Sequence, residues 1–147
     1  MSEAAQTLEG WYALHDLREI DWQAWNAASR AEKDAALTEL AGFYEQWDAV
    51  EANKEGSYAS YSIVGQKADF LLMHLRETLE ELNAIENAFN RSAFAKFTRK
   101  TSSYVSVVEL SNYMGTPGVD PMQVPEIVAR LKPILPKSKH ICFYPMN

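Results

Sequence analysis

The run Ser103-Tyr104-Val105-Ser106-Val107-Val108-Glu109-Leu110-Ser111-Asn112-Tyr113 decides how the rest of the chain is understood. β-Branched and aromatic residues dominate it and neither Gly nor Pro interrupts it, which is the composition of a strand. Strand side chains alternate between faces. Tyr104, Ser106, Val108, Leu110 and Asn112 therefore share one face, and Val105, Val107, Glu109, Ser111 and Tyr113 the other. Both faces are apolar enough that each is expected to be covered. Asn112, next to Leu110 on its face, would need hydrogen-bond partners if buried.

Upstream, Gly10 to Arg18 has the same two-sided character and forms a first expected strand. Trp11, Ala13, His15 and Leu17 lie on one side, and Tyr12, Leu14, Asp16 and Arg18 on the other. Ser29-Arg30-Ala31-Glu32 fits a capping box, opening a helix whose stripe is Leu37, Leu40, Tyr44 and Trp47 and whose stop is Gly56. Trp22 and Trp25 are expected on a short turn packed against that helix. Ser57 to Val64 and Asp69 to Leu75 form two strands around a turn at Gly65-Gln66-Lys67, an antiparallel hairpin. Thr78-Leu79-Glu80-Glu81 is a second capping box, followed by the stripe Leu79, Leu82, Ile85, Ala88 and Phe89.

Strand, helix, strand, strand, helix, strand is the ferredoxin-like βαββαβ order, an α+β fold. It places both helices on one face of a four-stranded antiparallel sheet and leaves the other bare. A sheet apolar on both sides then calls for a second sheet, from this chain or another. Residues 1–114 are assigned to this domain. Residues 115–147 form a linker with a short helix from Pro125 to Leu131 and a new strand at His140–Pro145. An apolar strand-like run two residues before the last position is expected of one half of a two-part body.

The 147 residues suffice for one domain, and the formal charge of −6 opposes non-specific nucleic-acid binding and docking on anionic lipid. No run is long enough to span a membrane, and the opening residues lack the pattern of a signal peptide. The single cysteine, Cys142, cannot form an internal disulfide, and a cytoplasmic setting is expected. There is no zinc-ligand spacing, heme-attachment motif, phosphate loop or nucleophile elbow.

Four stretches carry a resemblance: Gly10-Trp11-Tyr12-Ala13-Leu14-His15-Asp16, Tyr61 to Asp69 (Y-S-I-V-G-Q-K-A-D), Tyr104 to Tyr113, and Ile141-Cys142-Phe143-Tyr144-Pro145-Met146. In order and spacing they resemble coproheme decarboxylase, the HemQ-type branch of the chlorite dismutase superfamily, of dimeric α/β-barrel type. The resemblance implies two ferredoxin-like halves per subunit and a homopentamer. It implies Fe-coproporphyrin III (coproheme) as substrate and redox centre, hydrogen peroxide as oxidant, and heme b as product. This chain resembles the N-terminal half and linker. The family's axial histidine lies in a C-terminal half that this chain is expected to lack, and His15, His74 and His140 do not match it. No metal ligand is expected in this chain, and without its other half the chain is expected to be inactive.

By residue type alone Tyr144 is an ordinary strand tyrosine and Arg130 a solvated helix charge. The resemblance makes Tyr144 the redox tyrosine, which takes hydrogen from a propionate. Pro145 restricts Tyr144 to extended backbone, and a phenol donates a hydrogen bond to a carboxylate. Arg130 matches a propionate-binding arginine, whose guanidinium offers a bidentate fork. Asn112, Pro145, Met146 and Asn147 complete the implied substrate-lining set, with Asn112 equally readable as a strand-end amide bonded to backbone. The competing reading is a non-catalytic ferredoxin-like module that pairs with itself or a partner chain.

Overall fold

The computed structural model describes residues 7–65, 67–111 and 118–146. Strand β1 (Thr7–Ile20) leads into helix α1 (Trp22–Ala27) and helix α2 (Arg30–Ala52). The hairpin strands β2 (Gly56–Ser62) and β3 (Phe70–Arg76) follow, then helix α3 (Leu79–Asn90), a 3-10 turn (Ala95–Phe97) and β4 (Thr98–Ser111). All pairings are antiparallel and the order is β2-β3-β1-β4. This is the expected ferredoxin-like α+β fold.

Local sequence accounts for the boundaries. Ser29 Oγ accepts from the Glu32 N–H while the Glu32 carboxylate accepts from Ser29 N–H, at 3.1 and 2.9 Å. Thr78 and Glu81 make the same reciprocal pair at 3.2 and 3.0 Å. The end of α2 differs from expectation. Asn53 caps it, and Lys54, at φ 58°, makes the left-handed turn expected of a glycine. Gly56 instead opens β2, where a Cβ would stand 2.5 Å from the Leu75 carbonyl oxygen.

The helical face holds the larger core: Trp47, Tyr58, Leu72, Phe89 and Ala95, packed with Phe43, Tyr44 and Phe94 among others. One expected stripe position in each helix faces solvent. Leu37 is exposed while its neighbour Ala36 faces inward, and Leu79 is exposed while Leu82 of the same stripe is buried as expected. One residue turns a helix by about 100°, enough to exchange Leu37 and Ala36 between faces. Trp25 packs edge-on against Phe97 and Phe94, at 5.2 and 6.1 Å between ring centroids, while α2 offers it the Lys33 ammonium.

β4 starts at Thr98, earlier than expected, and Asn112 and Tyr113 lie outside the described residues. It is a sheet edge, so its faces are not both dry: Tyr104 is 40% and Val105 60% exposed. The other sheet face is not bare over β1 and β3. Trp11, Ala13 and Leu75 form a second core there, packed with Val108 and with Leu135 from the segment after β4. No strand forms at His140–Pro145; those residues carry no ladder bonds. Among the described residues no helix is long and apolar enough to cross a membrane.

Candidate functional site

The segment from Pro125 onward carries Arg130 and Tyr144, and its seating on the open sheet face fixes where they stand. Helix α4 (Pro125–Leu131) begins on a proline and holds Glu126 in its first turn and Arg130 in its last. Those charges suit the ends of the helix dipole. Ile127 and Leu131 turn inward, and Leu131 is fully buried. Its backbone passes so close to β1 that a Cβ on Gly10 would lie 2.0 Å from the Leu131 carbonyl oxygen. Only glycine allows that approach.

Polar anchors then tie the chain down in sequence. The Lys132 ammonium reaches Glu77 at 2.9 Å, and the Trp11 indole N–H donates to the same carboxylate at 3.0 Å. The Lys132 bond, with help from Trp11, holds the Glu77 carboxyl below the ordinary glutamate range. Leu135 N–H donates to Ser57 Oγ at 2.8 Å, and the Lys137 ammonium donates to Glu51 at 2.9 Å and to the Tyr58 carbonyl. Phe143 closes the series by stacking on His15, 4.8 Å between centroids and 21° between planes, with Tyr104 at 5.9 Å.

Arg130 is exposed on α4, Tyr144 is 70% exposed, and Pro145 and Met146 face solvent beside it. Asn112 and Asn147 lie outside the described residues. Two cavities, of about 210 and 150 Å³, run along the β2 edge past Tyr44, Ser60 and Tyr61, and neither is lined by Arg130 or Tyr144. The structure thus presents the predicted guanidinium and phenol outward, not around a closed hollow within these residues.

The histidines divide sharply. His74 is buried against Trp47, at 4.5 Å, and burial, with Arg76 nearby, pushes it down to about 3. His15 is also lowered by burial, which outweighs the raising influence of the nearby Tyr104 backbone. Each leaves a buried Nδ1 with no partner among the described residues. His140 is exposed. Among the described residues no group of three or more metal-ligating side chains converges. An exposed guanidinium and phenol suit the carboxylate rim of an anionic porphyrin, and His15 and His74, enclosed by protein rings, do not suit its iron. Sequence reasoning alone makes His15 a core or surface residue. Its parity with Trp11 and Ala13 signals burial, but its contact with Phe143 depends on a fold-back that no local pattern encodes.

Comparison with known proteins bears on this arrangement. The sequence model described as chlorite dismutase matches residues 33–147. A solved structure of a novel heme-binding protein from Thermus thermophilus is 39% identical. The match covers 94% of this chain and 55% of that one, with a TM-score of 0.85. A variant of the chlorite dismutase from Candidatus Nitrospira defluvii shares the fold at 18% identity, covering 73% of this chain and 44% of its own, with a TM-score of 0.60. This chain therefore spans about half the length of the structures it matches. With the family model matching most of the sequence and the fold agreeing, the chain belongs to the chlorite dismutase family.

Proposed function

We propose that this chain is the N-terminal portion, residues 1–114 as domain and 115–147 as linker, of a coproheme decarboxylase. The complete protein would use hydrogen peroxide to convert iron coproporphyrin III to heme b. The observation that supports this reading most is the outward phenol of Tyr144, seated by Phe143 on the sheet and followed by Pro145, in a chain 39% identical to a heme-binding protein.

Bound iron coproporphyrin would supply the activation of peroxide. This chain's part is to present the Tyr144 phenol, which, once oxidised by one electron with loss of its proton to a phenoxyl radical, takes a hydrogen atom from the β-carbon of a propionate and so becomes a phenol again. The substrate then loses a further electron and carbon dioxide, leaving a vinyl group. Per propionate two electrons and one proton depart, and peroxide with a second proton from solvent is reduced to two waters. Arg130 would hold a propionate by a charge-assisted fork, with Met146, Asn147 and Asn112 beside it. The substrate and this chain are both anionic, so such local cations must supply the attraction. A cytoplasmic homopentamer belongs to the same proposal.

The test uses the complete gene product. Iron coproporphyrin should shift its Soret band on binding, and peroxide should release heme b. Tyr144→Phe should retain binding and lose at least 100-fold in decarboxylation; retained turnover would overturn the assignment. The exposed Tyr104 and Val105 on edge strand β4 favour a second reading, a non-catalytic pairing module. No Soret shift with the complete protein would favour that one.

A further inference from the structure

We infer that His15 is the positioning residue for Tyr144, because its imidazole and the Tyr104 ring form the seat of Phe143, the residue immediately before the phenol. The inference rests on the proposed role of Tyr144 and adds to it what holds the phenol in place.

The geometry forms a short rigid relay. His15 lies on β1, paired with Tyr104 of β4 in the ladder. The Tyr104 backbone lies beside the ring and favours its protonated form, an influence smaller than that of burial. Phe143 lies nearly parallel to the imidazole plane, and Tyr104 flanks it at 58°. Tyr144 follows, and as a residue before proline it is limited to extended backbone. Few torsions remain between the sheet and the phenol.

A purely apolar seat would have served packing alone. Among the described residues His15 Nδ1 is buried without a partner, a costly arrangement that a phenyl ring would avoid. That nitrogen gives the seat a property that packing lacks. Protonating it places an N–H among apolar neighbours: Phe143 from the segment, Ala13 and Leu17 from β1, Met73 across the ladder on β3. The phenol-bearing Tyr104 of β4 is a further titratable residue in contact with this seat, and Cys142 adjoins Phe143 in the chain. Asp16 and Arg18 point to the opposite face, where they pair with each other. Acid therefore opens the seat, and the sense agrees with the lowered affinity of His15 for its proton.

Three forms of this chain test the relay by NMR of the Tyr144 ring as pH falls from 8 to 5. In the parent, Tyr144 should move toward its random-coil position as His15 takes up its proton. His15→Phe, which keeps a stacking ring and cannot titrate, should hold Tyr144 at its neutral-pH position throughout. His15→Ala should release Tyr144 at every pH while Leu131 amide protection persists. An unmoved Tyr144 in His15→Ala, or an unaltered pH response in His15→Phe, overturns the inference. Should His15→Ala not fold, the phenylalanine variant decides alone. In the complete protein His15→Ala should lower kcat for decarboxylation at least tenfold and leave KM for the porphyrin within twofold. Failure of Tyr144→Phe to lose turnover would reject the role of Tyr144 and leave the NMR result standing. An unchanged kcat in His15→Ala, with Tyr144→Phe inactive, would reject the positioning role.

Discussion

Arg18 is among the most buried side chains of the protein, yet it is a cation. Its guanidinium sits over the Phe89 ring at 4.5 Å, pairs with Asp16 at 3.0 Å, and donates to Asn90 and Thr98 at 2.6 and 3.2 Å. Each of its three nitrogens has a partner, so the cost of burying it is met only while all partners remain. Asp16→Ala leaves that charge unpaired and should destabilise the fold by about 3–5 kcal/mol in urea unfolding. Asp16→Leu combined with Arg18→Met should recover most of the loss, because no charge is then buried. His74 makes a second residue-scale prediction. Folded, it takes up a proton only near pH 3; unfolded, it does so near 6.5. Between those bounds the unfolded chain holds the extra proton, so stability is complete above 6.5 and falls as acid is added. The slope is at most about 1.4 kcal/mol per pH unit. His15 acts in the same sense. His74→Gln should flatten the dependence of urea stability on pH between about 6.5 and 5, a range above that in which the lowered carboxyls of Glu32 and Glu77 titrate.

At the scale of elements, what could be foreseen was what neighbouring residues determine. Ser29 with Glu32 and Thr78 with Glu81 mark helix starts three residues apart, and both capping boxes form. Alternation along Gly10–Arg18 separates Trp11, Ala13 and His15 from Leu14, Asp16 and Arg18, and those two sets do face opposite layers. That the open face over β1 and β3 is covered by the segment after β4, and not by a second sheet, could not be foreseen. Leu131 ends a short helix, and Leu135 and Phe143 lie beyond Pro133 and Pro136, so no single period links the three and nothing local states that they share a surface. For the same reason Tyr144 and Arg130 are identifiable as candidates by motif, while His15, which supports the segment, is not. Gly10 is the hinge of this arrangement. Its missing Cβ is what admits the Leu131 carbonyl. Gly10→Ala should shift α4 off β1, costing about 1–3 kcal/mol, the range for overpacking. Hydrogen exchange at Leu131 and Lys132 should accelerate in that variant while the amides of α3 stay protected.

For the whole molecule, the question is what the segment beyond β4 contributes to the body it rests on. It lies over a core of Trp11, Ala13 and Leu75 and supplies Leu135 to it, with Ile127 and Leu131 both inaccessible to solvent or nearly so. It also spans the sheet, from Glu77 after β3 to Ser57 on β2 and Glu51 on α2. Exposed ion pairs of this kind contribute little each, about 0–1 kcal/mol, so the energy resides in the apolar contacts and the polar bonds set their register. Losing Leu131 alone, fully enclosed, corresponds to about 2–5 kcal/mol. A chain ending at residue 114 should therefore keep its helical-face core, since the apolar cluster of Trp47, Tyr58, Leu72 and Phe89 takes no hydrophobic side chain from the segment, which adds only Lys137 over Tyr58. It should lose the second core. The expected signs are bound 8-anilinonaphthalene-1-sulfonate, red-shifted emission from Trp11, and a stability in urea lowered by several kcal/mol, with far-ultraviolet circular dichroism close to that of the longer chain. A shortened chain as stable as the longer one would mean that the segment is carried by the sheet and adds no support to it.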